Sequence, residues 1–210
     1  MKAIVIPKHG GPEVLQSVEL PDPKPGPNDV VVRVRACALN HLDLWVRRGL
    51  NGVTFSLPLV PGSDIAGEVA SVGTDARRVH TGDKVVLAPG VSCGQCAACA
   101  AGRDSECRKY ALFGYGRNGG YAEFVLAPEV NVLPMPPGLS FEEAAAVPLV
   151  FLTAWHMLVA RARLQPGEDV LILGAGSGVG SAAIRIATST ASRKRSSRWS
   201  ERRSRISTFG

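Results

Sequence analysis

Short apolar runs rich in β-branched residues recur through the first 130 residues. They cover residues 2–6, 29–38, 65–72, 84–88 and 121–126. Within the second run, residues 32–36 alternate apolar and basic side chains, the period of a strand with one buried face. Gly and Pro separate the runs, as expected at turns. This pattern predicts many short strands arranged as a barrel or sandwich.

The periodicity changes to a helical one after Ser140. Ser140 is followed three residues later by Glu143, the pattern of a capping box, and an apolar helix broken near Pro148 should follow. Residues 169–173 (DVLIL) then predict a buried strand, residues 174–180 a glycine-rich turn and residues 179–187 an apolar helix. These elements form the strand, turn and helix of a βαβ unit without its second strand.

From residue 188 onward the sequence is rich in Ser and Arg and has no aliphatic periodicity, so we expect a disordered tail over 188–210. The formal charge of +6 belongs to this tail, because residues 1–187 are neutral. No export signal and no apolar run of about 18 residues is visible, so we expect no membrane partner and a cytoplasmic location.

Four of the five cysteines lie within fifteen residues, with the spacing C-x2-C-x2-C-x7-C. They are Cys93, Cys96, Cys99 and Cys107. In a chain without an export signal this cluster favours metal binding over disulfides. Four thiolates suit tetrahedral zinc and leave no position for substrate, so one structural zinc is predicted. The alternative is four incidental thiols in a loop. Cys37 is interpreted as a small buried hydrophobe.

Several segments together resemble the medium-chain dehydrogenase/reductase superfamily. They are the cysteine spacing, LPLVPGSDIAGEVASVG from residue 57, GDKV from 82, GGYAEF from 119, and LTAWHML from 152 followed by PGEDVLILGAGSGVG. The resemblance covers residues 1 to about 187. It implies a mixed α/β chain with a GroES-like β-barrel over 1–135 and the start of a Rossmann domain over 136–187. It also implies NAD(H) or NADP(H) as cofactor, with hydride transfer in the cleft between the domains.

Zinc-dependent members of this family also hold a catalytic zinc. Matched motif to motif, its three ligand positions fall at Asn40, Ser63 and near Leu149. None of these offers the thiolate or imidazole that zinc prefers. We therefore predict no catalytic zinc and a closer similarity to the quinone-oxidoreductase branch. That branch commonly lacks the structural cysteines, so the chain combines features of both.

The resemblance also suggests which residues act on substrate and cofactor. Asn40 is the candidate hydrogen-bond donor to a substrate carbonyl, and Asp43 the residue that orients its loop. His41 occupies a position where relatives contact the pyrophosphate, and Thr153 and Trp155 would face the nicotinamide. Each has a plainer interpretation: a capped turn for Asn40 and Asp43, a surface residue for His41, and helix packing for Thr153 and Trp155.

The glycine-rich turn predicts contact with the cofactor pyrophosphate, because it follows a strand and opens a helix. Its members are Gly174, Ala175, Gly176, Ser177, Gly178, Val179 and Gly180. Aligned on Gly180, the first two fingerprint positions are Ala175 and Ser177, a substitution typical of the quinone-reductase branch. The strand and ribose-binding carboxylate expected about 20 residues later are not apparent at 195–200, where the residues are RSSRWS. The basic cluster there could instead serve a 2′-phosphate.

One predicted strand is fewer than the three of a mononucleotide-binding half. We therefore expect a truncated Rossmann domain, from a frame shift or shortened gene, and impaired activity on a small-molecule substrate. The resemblance allows a homodimer for a full-length parent. The competing hypothesis is a catalytically inactive, zinc-stabilised domain. A nucleic-acid binder is disfavoured because the body is neutral and the cysteine loop does not resemble a helix-bearing finger.

Overall fold

The computed structural model describes residues 1–192 and 207–209. The chain divides into two compact units, Met1–Pro148 and Leu149–Gly210. The strands are β1 (Lys2–Val5), β2 (Gln16–Glu19), β3 (Asp29–Ala38), β4 (Asp64–Val72), β5 (Lys84–Leu87), β6 (Gly90–Val91), β7 (Ala111–Leu112), β8 (Phe124–Pro128), β9 (Val132–Pro134), β10 (Leu171–Leu173) and β11 (Ser207–Phe209). The helices are α1 (His41–Arg48), α2 (Ala97–Ala100), α3 (Phe141–Ala145), α4 (Pro148–Trp155) and α5 (Gly178–Ser192), with a π-helical turn over His156–Arg161.

The first unit is built on a curled five-stranded antiparallel sheet with the order β8-β3-β4-β5-β9. Strand β3 lies between β8 and β4 and has the bounds predicted from its apolar run. Val30 and Val32 are fully buried, whereas Arg33 and Arg35 are exposed. Burial of apolar area on one sheet face therefore sets the register.

The main core of this unit lies on the inner face of the sheet. Its largest buried side chains include Val30, Val32, Ile65, Leu87 and Phe113. Two hairpins, β1-β2 and β6-β7, form separate two-stranded sheets. The short strands β2, β6, β7 and β9 were not predicted, because two to four residues carry too little periodicity to detect.

Helix α3 begins at the predicted capping box. Glu143 N donates to Ser140 Oγ at 3.2 Å, and Ser140 N donates to Glu143 Oε2 at 2.8 Å. The break at Pro148 is also confirmed, because α4 begins there. Within the first unit, Ala144 and Ala145 are buried against Ala66.

The helical run Phe141–Arg161 is long and apolar enough to cross a membrane, with a mean hydropathy of 1.5 and 17% of it buried. The expectation that no such segment exists is therefore wrong. Length and composition alone do not make this run a membrane span, since core helices satisfy the same criteria. Its first turn carries the Glu142 and Glu143 carboxylates.

The second unit contains β10, α5 and β11. Ile172 packs with Ala182, Ala183 and Ile186, but Leu171 and Leu173 are exposed. The prediction of a fully buried strand at 169–173 is therefore correct only at Ile172. A parallel sheet buries both faces of a strand only when further layers cover them.

Two parts of the predicted disordered tail have regular structure. Helix α5 continues to Ser192, and the Thr188 and Thr190 hydroxyls donate to the carbonyls of Ile184 and Ile186. A second strand, β11, pairs in parallel with β10, so the expectation of a single strand is wrong. The remaining tail residues, 193–206 and 210, lie outside the described part of the chain, and the range 195–200 lies among them.

Candidate metal centre, polar cluster and glycine turn

The loop between β6 and β7 brings the four clustered cysteines together. One sulfur from each of Cys93, Cys96, Cys99 and Cys107 lies within 4.8 Å of all the others. Cys107 is buried and the other three are half-buried. Helix α2 supplies one helical turn between Cys96 and Cys107. This turn brings the Cys99 sulfur next to that of Cys96.

The sulfur separations fit tetrahedral zinc. Zn–S bonds of about 2.3 Å at tetrahedral angles imply S···S edges of roughly 3.8 Å. Cys93 Sγ and Cys99 Sγ are 4.0 Å apart, and Cys96 Sγ and Cys99 Sγ are 3.5 Å apart. Four sulfur donors with this spacing therefore suit a zinc ion whose tetrahedral coordination is filled by protein ligands. Among the described residues, no other group of three or more His, Cys, Asp or Glu side chains has ligand spacing.

Hydrogen bonds from the backbone reach two of these sulfurs, those of Cys93 and Cys107. Cys93 N lies 3.5 Å and Lys109 N 3.4 Å from Cys107 Sγ, and both donate to it. Hydrogen bonds, first from the backbone of Gln95 and then from Cys107, lower the pKa of Cys93 to about 6. Because zinc binds thiolates, these donors support a metal-binding loop.

A second cluster of polar groups forms where β3 leads into α1. Asn40 is the N-cap of α1, and its backbone N–H donates to Asp43 Oδ2 at 2.7 Å. Its side-chain Nδ2 donates to Asp64 Oδ2 at 2.9 Å. Antiparallel pairing sets this contact, because Asp64 lies opposite Ala38, two residues before Asn40.

Asp43 is the acceptor at the centre of this cluster. Its Oδ1 accepts from Gly62 N at 3.2 Å, and its Oδ2 accepts from the Tyr121 hydroxyl at 3.0 Å. Gly62 has a φ of 97°, and a Cβ there would lie 2.5 Å from the Tyr121 ring. Glycine is therefore required for its amide to reach the carboxylate. Three protein donors therefore occupy the Asp43 carboxylate and connect it to the chain around α1. Its orienting role stays a prediction.

Charge and burial perturb two neighbours of Asp43. Burial, and then the charges of Asp43 and Asp64, raise the pKa of the Cys37 thiol to about 12. Burial, followed by the charge of Asp43, also raises the pKa of Tyr121. One turn after Asp43, Arg47 is 9% exposed and its buried Nε has no hydrogen-bond partner. The cluster therefore keeps Cys37 and Tyr121 protonated at more alkaline pH than an ordinary thiol or phenol.

The three positions that would hold a catalytic zinc do not fit that ion. The Ser63 hydroxyl is buried and donates to the carbonyl of Phe113 at 2.7 Å. The Asn40 amide is bonded to Asp64, and Leu149 has no donor atom in its side chain. Zinc prefers thiolate, imidazole and carboxylate ligands, and none of these three residues supplies one.

Three candidate cofactor contacts remain: His41, which follows Asn40 in sequence, and Thr153 and Trp155 in α4. His41 is exposed on the first turn of α1, with its ring 6.0 Å from that of Trp45. The Thr153 hydroxyl donates to the carbonyl of Leu149, four residues earlier in the same helix, at 2.7 Å. Trp155 is largely exposed. The exposure of His41 and the hydrogen bond of Thr153 fit the plainer interpretations, whereas the exposure of Trp155 does not fit helix packing. The cofactor roles of these residues stay predictions.

The glycine turn connects β10 to α5 as predicted. Gly174 has a φ of 66°, and Ser177 N donates to its carbonyl at 2.9 Å. Ser177 then caps α5, because Gly180 N donates to Ser177 Oγ at 3.0 Å. A Cβ on Gly180 would lie 2.2 Å from the Gly174 carbonyl oxygen, whereas one on Gly176 would meet nothing within 4 Å.

The space around a Cβ atom thus differs between Gly180 and Gly176, and the two glycines have different roles in the turn. Gly180 is needed for the turn to close on the helix, and Gly176 leaves space above the helix N-terminus. Unsatisfied amides at the N-terminus of a helix attract anions. Gly174, Ala175, Gly176, Ser177, Gly178 and Val179 are all at least partly exposed, so the turn is accessible.

Sequence reasoning missed three members of the polar cluster. Asp64 bonds to Asn40, whereas Gly62 and Tyr121 bond to Asp43; Asn40 and Asp43 are the two candidate catalytic residues. Asp64 could have been found, because it is the one acidic residue at the head of a buried apolar strand. Tyr121 joins the cluster through a contact spanning 78 residues, for which the sequence has no signal.

Residues 26–137 match the family model described as the alcohol dehydrogenase GroES-like domain. The chain belongs to this family. The predicted GroES-like fold is thereby confirmed. The partial Rossmann segment after it is supported by the solved structure described below, which covers 91% of this chain.

Similar proteins are named as oxidoreductases. The NAD-dependent alcohol dehydrogenase of Sulfolobus acidocaldarius is 37% identical over 192 residues, which cover 89% of this chain and 55% of that protein. The quinone oxidoreductase of Homo sapiens is 33% identical over 188 residues, covering 89% of this chain and 49% of that protein. A solved NAD-dependent alcohol dehydrogenase superposes with a TM-score of 0.87 at 51% identity, covering 91% of this chain and 56% of the other. The chain spans about half the length of the curated relatives it matches.

Proposed function

We propose that this chain functions in NAD(P)-dependent hydride transfer to or from an alcohol, aldehyde, ketone or quinone. The observation that carries the proposal is the glycine turn, in which Gly180 packs against the Gly174 carbonyl and Gly176 leaves open space. Membership in the alcohol dehydrogenase GroES-like family supports the same reaction class. The substrate is therefore a small molecule.

The turn binds the pyrophosphate of the nucleotide in this proposal. Ser177 already satisfies the Gly180 amide, so the amides of Gly178 and Val179 are the available donors at the start of α5. The positive end of the helix dipole adds to their attraction for phosphate. By resemblance, His41 and Thr153 make further contacts with NAD(H) or NADP(H).

The four-cysteine loop holds one structural zinc in the same proposal. Cys93, Cys96, Cys99 and Cys107 supply four sulfurs at suitable spacing, with backbone amides donating to them. A bound zinc would cross-link a loop that has one buried cysteine and little core of its own. Its contribution is to folding, since four protein ligands leave no open position.

In this proposal Asn40 polarises the substrate carbonyl. A catalytic zinc cannot take that role, because the residues at the three family ligand positions do not suit the ion. An amide N–H aimed at the carbonyl oxygen stabilises the negative charge that develops there during hydride addition. Asp43 orients Asn40 by accepting its backbone N–H at 2.7 Å. Asn40 is half-buried, so its side chain is available to a ligand.

We propose a soluble, cytoplasmic setting without nucleic-acid or membrane partners. The packing of Ala144 and Ala145 against Ala66 supports this for α3, the start of the apolar run. The predicted domains, 1–135, 136–187 and 188–210, and a homodimer of a full-length parent remain parts of the proposal.

Titration with NADH and NADPH tests the nucleotide site. Binding to purified protein is followed by the rise in nicotinamide fluorescence. Gly176→Ala adds a methyl group where the free protein has room but the pyrophosphate should approach, so affinity should fall about tenfold or more. Thr188→Ala in the same helix is the control and should bind as the wild type does. If neither nucleotide binds, the catalytically inactive, zinc-stabilised domain is the better description.

A further inference from the structure

Arg47, in the last turn of α1, is a buried cation without an anion beside it. Its side chain is 9% exposed, and none of the ion pairs within residues 1–192 and 207–209 includes it. Its Nε atom is buried and has no hydrogen-bond partner. A guanidinium stays protonated in proteins, so Arg47 cannot relieve the cost of burial by losing its charge.

The nearest acidic residue on the same helix face does not pair with Arg47. Asp43 lies one turn earlier, and both residues belong to the buried face of α1. This spacing ordinarily allows an Asp–Arg pair. The Asp43 carboxylate instead accepts from Asn40 N, Gly62 N and the Tyr121 hydroxyl. Its commitment to these donors leaves Arg47 without a partner on its own helix.

The outer end of the Arg47 side chain is accessible to a ligand. Nε is the one atom of this side chain that is both buried and without a partner, so the two Nη atoms differ from it in one of these respects. Since the Nη atoms make no hydrogen bond to a described residue, they reach the surface. A guanidinium presents such atoms as a planar fork, which matches two oxygens of a carboxylate or phosphate.

The surroundings of Arg47 add positive charge. The loop after β1 lies against the end of α1, because Gly10 N donates to the Arg47 carbonyl at 2.9 Å. Lys8 on this loop and Arg48 on α1 are both exposed. Glu13 brings one negative charge, and its carboxylate accepts a backbone N–H of its own turn at 2.9 Å. Cations therefore outnumber carboxylates at this corner of the first unit.

We propose that Arg47 is the centre of an oxyanion-binding site at the end of α1, which takes the carboxylate or phosphate group of a small molecule. The two Nη atoms bind a pair of its oxygens, and the charges of Lys8 and Arg48 attract the anion to this surface. Because the rest of the Arg47 side chain is buried, little conformational freedom is lost when the anion binds. The site is separate in sequence from the glycine turn and the cysteine loop, and it does not depend on hydride transfer.

The first test follows the Arg47 Nε–H signal in the ¹⁵N spectrum of the whole chain. Sodium phosphate and sodium acetate are titrated separately, with sodium chloride at equal ionic strength as the reference. The signal should shift to saturation with a dissociation constant of about 1 mM, as two charged hydrogen bonds permit. The anion that binds more tightly identifies the group that the site prefers.

The second test measures thermal unfolding of Arg47→Met, which keeps an unbranched side chain and removes the charge. With about 10 mM phosphate, the ratio of folded to unfolded wild type should rise about tenfold relative to chloride. The variant should show no such rise. Arg48→Met loses an equal charge at an exposed neighbour and should respond as the wild type does. In chloride alone, Arg47→Met should be at least as stable as the wild type, because an unpaired buried charge is removed.

Each opposite result overturns the proposal. An Arg47 Nε–H signal that moves no further in phosphate or acetate than in chloride excludes the site, and this result needs no variant to fold. Equal stabilisation of the wild type and Arg47→Met by phosphate means that the anion binds elsewhere. A loss of stability in Arg47→Met in chloride means that the folded chain already compensates the guanidinium.

Discussion

The Tyr121 hydroxyl donates to Asp43 Oδ2 at 3.0 Å and so connects α1 to the segment just before β8, 78 residues away. The same carboxylate accepts from the amides of Asn40 and Gly62. Three segments of the first unit therefore meet at one buried aspartate, and its burial makes each donor valuable.

Replacing Tyr121 with Phe should destabilise the first unit. The change removes one of three donors to a buried carboxylate, and such charged hydrogen bonds contribute about 2 kcal/mol to the free energy of unfolding. Urea denaturation measures this loss. Tyr115→Phe is the matched control, because its ring packs edge-on against Phe55 and its hydroxyl makes no hydrogen bond to another described residue. Equal stabilities of the two variants would contradict the prediction.

Replacing Cys99 with Ser should abolish zinc binding. Removal of one thiolate leaves three ligands, and a structural zinc can contribute about 10 kcal/mol of apparent folding energy to a loop of this kind. Elemental analysis of reduced protein should find one zinc per wild-type chain and none in the variant. Cys37→Ala, outside the loop, should keep its zinc. A full complement of zinc in Cys99→Ser would overturn the assignment.

Cys37 should react very slowly with iodoacetamide at pH 8. Burial and the nearby carboxylates raise the pKa of its thiol from 9.0 to about 12, and only the thiolate is nucleophilic. The shift predicts alkylation about a thousandfold slower than for an ordinary cysteine, measured by mass spectrometry of the peptide containing residue 37. Guanidinium-unfolded protein is the control and should react at the ordinary rate.

The same shift predicts how the stability should depend on alkaline pH. The contribution of Cys37 is complete below about pH 9, and it is lost as the pH rises toward 12, because the unfolded thiol ionises first. Unfolding of Cys37→Ala should accordingly be less sensitive to pH across this window. An identical pH dependence in both proteins would show that the thiol is not perturbed.

Replacing Ser177 with Ala should loosen the first turn of α5. The change leaves the Gly180 amide without its acceptor, a cap interaction worth about 1 kcal/mol. Amide hydrogen exchange should then speed up by roughly fivefold at Gly180. In Ser181→Ala the lost hydroxyl donated to the Gly178 carbonyl, so the Gly180 amide should keep its protection. Unaltered exchange in Ser177→Ala would show that Ser177 is not the cap.

Periodicity predicted the long elements well and the short ones poorly. Strand β3 and the capping box of α3 follow from local pattern, because each is specified by residues within a few positions of one another. Helix α1 was interpreted as a capped turn, although Asn40 and Asp43 form the box that begins it. In the second unit, residues 188–192 extend α5, and the Thr188 and Thr190 hydroxyls bond to helix carbonyls, which composition alone does not reveal.

By itself the sequence determined the cluster of four cysteines, the glycine turn and the absence of zinc-type side chains at Asn40, Ser63 and Leu149. These properties depend on residue identity and spacing over at most fifteen neighbouring positions, or on comparison with a known motif. Only the tertiary structure decided that Asn40 bonds to Asp64 and that Tyr121 bonds to Asp43. Those contacts arise from strand register and from chain segments 24 and 78 residues apart, where pairing and burial act together and local pattern carries no information.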